Sequence, residues 1–174
     1  MKTFEGEKGI GMSETDAREY LTQSKSVLIL GTTNDDGSPV IHPVWYYFDS
    51  TNTKLYFFTE PGLKKTANIR KRSQVYFDVD HDRWPYMGVK GKGKARIIDD
   101  TDEALSHGAK ILPRYLKEGA PMASLVLDKI KAGGYVVIEI TPAYFTSWNY
   151  GKLDPHGDKG IRDAHTSVEP QGPY

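Results

Sequence analysis

Residues 85–98, PYMGVKGKGKARII, alternate with a period of two over most of their length. Val89, Gly91, Gly93, Ala95 and Ile97 fall on one side, and Lys90, Lys92, Lys94 and Arg96 on the other. This pattern sets one face of an extended strand on a core and the other in water, and it excludes a helix, whose faces repeat about every 3.6 residues. The strand is well beyond the usual length of roughly five or six residues, and one-sided burial belongs to antiparallel sheets. Gly88, Gly91 and Gly93 remove side chains either where another group approaches the backbone or where a barrel strand bends. They do not form a dinucleotide-binding loop, because no helix comes after them.

Further strands are predicted over residues 27–30, 40–48, 54–59, 74–79 and 135–145. The early ones are separated by turns, Asn34-Asp-Asp-Gly37-Ser among them, and lack the crossover helices of a parallel nucleotide-binding sheet. Short helices are predicted after Ser13, a candidate N-cap, and over residues 64–72, 105–117 and 122–131, with a break near Pro113. The expected fold is α+β, an antiparallel six-stranded barrel with short peripheral helices. It occupies residues 1–148. Residues 149–174, polar and rich in Gly and Pro, read as a tail that is disordered or ordered only against a partner subunit.

Composition narrows the chemistry. The 174 residues include no cysteine, which removes thiol catalysis, cysteine zinc sites and iron–sulfur clusters. No apolar run approaches the roughly 20 residues of a membrane helix, and the first residues lack a signal-peptide core, so a cytoplasmic protein is expected. The formal charge of zero argues against a polyanionic partner such as nucleic acid or an acidic membrane. Residues 64–96 nevertheless carry ten Lys or Arg against three Asp, a local excess that suits a small anionic ligand.

The segment FFTEPGLKKTAN, residues 57–68, concentrates that excess. A strand ends at Thr59, turns through Pro61-Gly62, and delivers Lys64 and Lys65 to a helix N-terminus, where free N–H groups, the helix dipole and two ammonium groups favour a phosphate. The alternative is a solvated helix face. Aromatic residues, including Trp45, Phe58, Tyr86 and Trp148, supply core packing or walls for a planar ligand. The histidines show no paired metal-ligand spacing, and His42 reads as a half-buried strand residue. With no nucleophile elbow, P-loop or carboxylate pair in view, the pattern assigns any chemistry to a cofactor.

From residue 27 to 98, and again over 135–145, the order of elements resembles the flavin-binding split-barrel family related to pyridoxamine 5′-phosphate oxidase. In that family a Phe-Phe-Thr strand end is succeeded by a basic pair that holds the flavin phosphate. Phe57-Phe58-Thr59 and Lys64-Lys65 stand here at that spacing, and Asn68-Ile-Arg70 with Val75 is similar to the family's stretch after its phosphate-binding pair. His42-Pro-Val-Trp45 is similar to the strand that lines the flavin, and the stretch from Tyr86 to Gly91 to the strand that faces the ring. The family's Arg-Gln pair near Pro85-Tyr86 and its substrate-binding Arg and His are not recognisable, so oxidation of pyridoxine phosphate is not implied.

The resemblance implies hydride transfer between FMN and a small organic substrate, in a homodimer with the cofactor at the subunit interface. Lys64 and Lys65 would bind phosphate beside Thr59 and Phe58. Pro43, Val44 and Trp45 would line the ring, Tyr86 and Met87 would cover its other edge, and Trp148 with the tail would complete the partner subunit's pocket. A deazaflavin fits the same residues, and its acidic tail would suit Lys90, Lys92 and Lys94. Other readings are a non-catalytic flavin- or haem-binding protein and a single-stranded nucleic-acid barrel, the latter opposed by the zero net charge.

Overall fold

The alternating segment forms the strand its period demands, and that strand organises the molecule. In the computed structural model, which describes residues 4–153, β7 (Met87–Ile98) runs antiparallel between β6 (Gln74–His81) and β8 (Val136–Asn149). Around these lie β1 (Phe4–Gly6), β2 (Leu28–Thr33), β3 (Pro39–Val44), β4 (Tyr46–Asp49) and β5 (Lys54–Thr59). Four α-helices, α1 (Glu14–Gln23), α2 (Lys64–Lys71), α3 (Thr101–Tyr115) and α4 (Pro121–Lys131), and a 3-10 turn at Tyr150–Leu153 complete the described residues, and the expected tail beyond that turn, residues 154–174, lies outside them. Among the described residues no helix is long and apolar enough to cross a membrane.

Seven strands pair antiparallel in the order β3-β2-β6-β7-β8-β5-β4, and β1 adds to β8 in parallel. The two ends of that path, β3 and β4, are separated in sequence by Trp45 alone. The sheet is therefore curled, with one bent segment supplying both edges. The six strands expected from sequence become eight for two reasons. Trp45 divides the strand expected over 40–48, so that β3 pairs with β2 and β4 with β5. β1, at three residues, is too short to show an alternation.

Inside the curl lie Leu28, Leu30, Tyr46, Phe57, Ile138 and Phe145, all nearly inaccessible. α3 and α4 cover the outside of β5 and β8 with a second cluster that includes Tyr56, Ile111, Val126 and Val137. β8 is thus buried on both faces over residues 137–140, which explains its nearly unbroken apolar run. Ser13 caps α1 as expected, accepting from the Asp16 N–H at 3.1 Å. α3 begins earlier than expected because Asp100 caps it through the Glu103 N–H at 2.7 Å. It also continues past Pro113. The proline forfeits one hydrogen bond near the end of the helix, and the next turn is kept by Leu116 N–H donating to the Leu112 carbonyl.

The glycines of β7 answer the question their spacing raised. A Cβ on Gly88 would lie 2.3 Å from the Trp148 indole, and one on Gly91 would lie 2.4 Å from the Tyr144 carbonyl oxygen. Both gaps are taken by β8.

The opposite, outward face of β2, β3, β6, β7 and β8 carries Ile41, Tyr76, Asp78, Lys90 and Tyr144 around a depression of about 360 Å³. Burial, then the neighbouring Asp80, pushes the Asp78 carboxyl up to about 6 against a smaller opposing pull from Lys90, and its Oδ1 has no hydrogen-bond partner. A carboxyl raised on folding stabilises fully only below its unfolded value of about 4 and loses that contribution as pH climbs through 6. Asp78→Asn should therefore raise unfolding stability by about 1–3 kcal/mol at pH 8 and by little at pH 4. Urea unfolding at the two pH values checks this; a gain of equal size at both would assign the effect to packing.

Candidate functional site

At one end of the curl, β5 stops at Thr59 and the chain turns through Glu60, Pro61 and Gly62 into α2. Leu63 at the N-cap offers no side-chain acceptor, and the first bonded donors are the N–H groups of Thr66 and Ala67, both to the Leu63 carbonyl. The N–H groups of Lys64 and Lys65 are left at the positive end of the helix. Asn68 fixes the helix against the sheet by donating to Thr32 Oγ1 at 3.2 Å and Asn34 Oδ1 at 3.1 Å.

This end forms a cleft of about 280 Å³ between β3, β5 and α2, lined by Pro43, Val44, Trp45, Phe58, Thr59 and Lys65 together with Glu60, Leu63 and Tyr135. Its aromatic wall is rigid. Trp45 stacks on Tyr115 with centroids 5.0 Å apart and meets Phe58 edge-on at 6.4 Å, while Phe58 lies 5.6 Å from Tyr135. Tyr115 is itself held, its hydroxyl donating to the Ser26 carbonyl at 3.1 Å.

Lys65 is the charged member. Its residue is only 6% exposed, and among the described residues no carboxylate lies within ion-pair distance of its ammonium. Burial lowers its pKa below the ordinary lysine value, and Glu60 opposes that shift weakly. A lysine so largely removed from water, with no carboxylate partner, is suited to an anion that completes it. Two cations at the other end of α2 differ: Lys71 and the C-cap residue Arg72 both reach Asp35, at 2.7 and 2.9 Å.

Six of the residues singled out in the sequence thus meet in one cleft. Lys64, beside them on α2, is exposed and does not line it. Tyr86, Met87 and Trp148 lie elsewhere. Met87 pairs with Asn149 at the far end of β8, whereas Val136 at its near end pairs with Thr59. At about 3.3 Å per residue these ends are on the order of 40 Å apart along the strand. Lys90, Lys92 and Lys94 do not line the cleft either. Lys90 pairs with Glu7 at 3.0 Å and sits over Trp148, and Lys92 sits over Tyr144.

The sequence pattern did not single out Tyr135, Leu63 and Glu60, and it left His42 without a role. β3 alternates so that Val40, His42 and Val44 face inward opposite Thr32, Leu30 and Leu28. His42 Nδ1 is buried without a partner, and burial, then the Lys65 charge, lowers its pKa. The imidazole therefore keeps an unpartnered hydrogen-bonding atom within the electrostatic reach of Lys65. The Val-x-His-x-Val alternation was visible in the sequence; its proximity to Lys65 was not.

A cleft with aromatic side chains and one lysine without a carboxylate partner among the described residues suits a ligand joining a flat ring to an anion. A family model described as pyridoxamine 5′-phosphate oxidase matches residues 14–149. Among solved structures, a conserved hypothetical protein of Mycobacterium tuberculosis is similar at 22% identity and a TM-score of 0.73, over 86% of this chain and 92% of that one. A protein named F420 reductase is 23% identical with a TM-score of 0.56, over 73% and 94% of the two chains. A protein from Mesorhizobium loti described as FAD-binding is 21% identical with a TM-score of 0.57, over 79% and 95%. No curated protein matches the sequence.

Proposed function

The chain belongs to the pyridoxamine 5′-phosphate oxidase family, and from that premise we propose that it is an oxidoreductase using a flavin-type cofactor, FMN or a deazaflavin, to act on a small organic substrate. The observation that carries this reading is Lys65 at the start of α2, a largely buried residue whose ammonium has no carboxylate partner among the described residues and lines one cleft with the aromatic side chains. Names that specify F420, a deazaflavin, and FAD among the similar folds support a cofactor of this chemistry. Such a cofactor supplies hydride transfer at the N5 position of its ring or the deaza equivalent. The chain's own residues bind and orient it. Lys65 and the free N–H groups of Lys64 and Lys65 hold the phosphate, with Lys64 adding charge from the rim. Trp45, locked on Tyr115, and Phe58 fix the ring plane, and Val44 and Thr59 close the floor.

The reading includes a homodimer with the cofactor between subunits. The cleft, about 280 Å³, sits at the low end of the roughly 300–1,000 Å³ of small-molecule sites. The outward sheet face carries Ile41, Tyr76 and Tyr144, exposed by 66%, 49% and 37%. That face has Pro43 and the cleft on one margin and Lys90 and Trp148 on the other. A two-fold pairing of it would bring Trp148, and Tyr86 near it, of one copy toward the cleft of the other, whereas Met87 lies on the inner side of β7.

Titration with FMN and with F420 should saturate below about millimolar concentration for at least one, and sedimentation of the loaded protein should give twice the chain mass. Failure of both to bind the folded protein overturns the reading.

A further inference from the structure

We propose that a second pocket, beside the phosphate cleft, takes the part of the cofactor that continues past its first phosphate. The ligand would then carry a nucleotide or acidic tail instead of ending there as FMN does. This rests on the flavin-type reading above. The second pocket, about 210 Å³, lies between α2, the end of β7, the start of α3 and the start of β8. It shares Tyr135 with the phosphate cleft, so the two pockets adjoin at that residue, on the side toward which a chain continuing past a phosphate at Lys65 would extend. Its volume is too small for a whole small-molecule ligand and suits one end of a longer one.

Arg70 lines this pocket and stands at the junction. Its Nη1 donates to the Pro61 carbonyl at 2.9 Å, which holds the guanidinium over the turn that leads into α2. That bond uses one of about five donors, and among the described residues Arg70 has no carboxylate partner. Asp35 is shared by Lys71 and by Arg72, the C-cap of the helix, whereas Lys65 and Arg70 are the α2 cations that line the two cavities. Lys129 Nζ adds a further positive charge 4.9 Å over the Tyr135 ring. Asp99 and Thr101, also in the lining, offer an acceptor and a hydroxyl to the sugar hydroxyls or amide groups of a tail. The lysines of β7 that the sequence offered for this purpose are not at the cleft, and Lys90 is already paired with Glu7.

The test compares the affinities of FMN, FAD and F420 for the full chain and for two variants. At least one of the longer cofactors should bind about tenfold or more tightly than FMN. FAD as the tighter one identifies a nucleotide tail, and F420 an acidic one. Arg70→Ala should remove most of that advantage while leaving FMN within about twofold. Thr101→Phe, which fills the pocket without touching the Pro61 carbonyl, should reproduce the pattern if the Arg70 variant folds poorly. FMN binding as tightly as both longer cofactors overturns the proposal, as does an equal loss for short and long cofactors in both variants. If none of the three binds, the flavin-type reading itself falls, a result distinct from binding of FMN without a contribution from the tail.

Discussion

Lys65→Ala should weaken FMN binding by about ten- to a hundredfold and leave riboflavin, which has no phosphate, nearly unchanged. A charged hydrogen bond contributes roughly 1.5–3 kcal/mol, and each ~1.4 kcal/mol is a factor of ten in affinity. The full value applies because Lys65 is buried and has no internal partner to share its charge. Lys71→Ala is the control on the same helix: Lys71 is exposed and already paired with Asp35, so its loss should change affinity little. Equal losses for FMN and riboflavin would mean that the ring wall, and not an anion site, had been damaged. Stability of the ligand-free protein should move the other way. Lys65→Met replaces a desolvated ammonium by an apolar chain of similar length and should raise it. Because burial lowers the Lys65 pKa, the folded state binds that proton less readily than the unfolded one. The cost is thus full at neutral pH and fades as pH rises through the lysine range, and the advantage of Lys65→Met should fade with it.

The parts of this site that sequence revealed are the local ones. Phe58-Thr59, the Pro61-Gly62 turn and Lys65 lie within eight residues, so strand end, turn and helix start can be read from one short window. The depth of Lys65 could not be read there. It depends on β3 and β4 bending at Trp45, which lays Pro43 and Val44 beside α2, and on Asn68 pinning that helix to Thr32. Tyr135 enters the cleft through the pairing of Val136 with Thr59, a register joining strands far apart in the chain that no local pattern specifies. The acidic residues 99–103 were legible only as charge. Asp100 turned out to be a helix cap, and Glu103 an ion-pair partner of Arg96 at 2.8 Å. Tyr86, Met87 and Trp148 were chosen by resemblance, and within one chain they stand at the other end of β7 and β8.

Glu139→Gln should cost about 2–3 kcal/mol of stability at pH 7, with the cost vanishing toward pH 2. Glu139 is the one charged residue in the buried run of β8. It is 3% exposed and faces α3 on the side opposite Ile138 and Ile140. Its carboxylate accepts from Arg96 Nε at 2.9 Å and Nη2 at 3.1 Å and from the Tyr56 hydroxyl at 3.2 Å, and Lys54 Nζ lies 3.0 Å away. Burial alone would raise the carboxyl, but the hydrogen bonds from Arg96 and Lys54 outweigh it and hold it at about 2. A carboxyl depressed on folding stabilises fully above its unfolded value of about 4.3 and loses that contribution as pH falls through 2. A shift of that size is worth about 3 kcal/mol, and glutamine keeps part of it by accepting from Arg96 through its amide oxygen. Arg96 and Lys54 are partly exposed and recover hydration when the charge is gone, so the loss stays below the roughly 3–5 kcal/mol of a fully buried broken pair. Urea unfolding of both proteins from pH 7 down to pH 2.5 gives the readout. Convergence of the two curves as pH falls assigns the stabilisation to the ionised network, whereas a constant offset would assign it to packing against Tyr56 and α3.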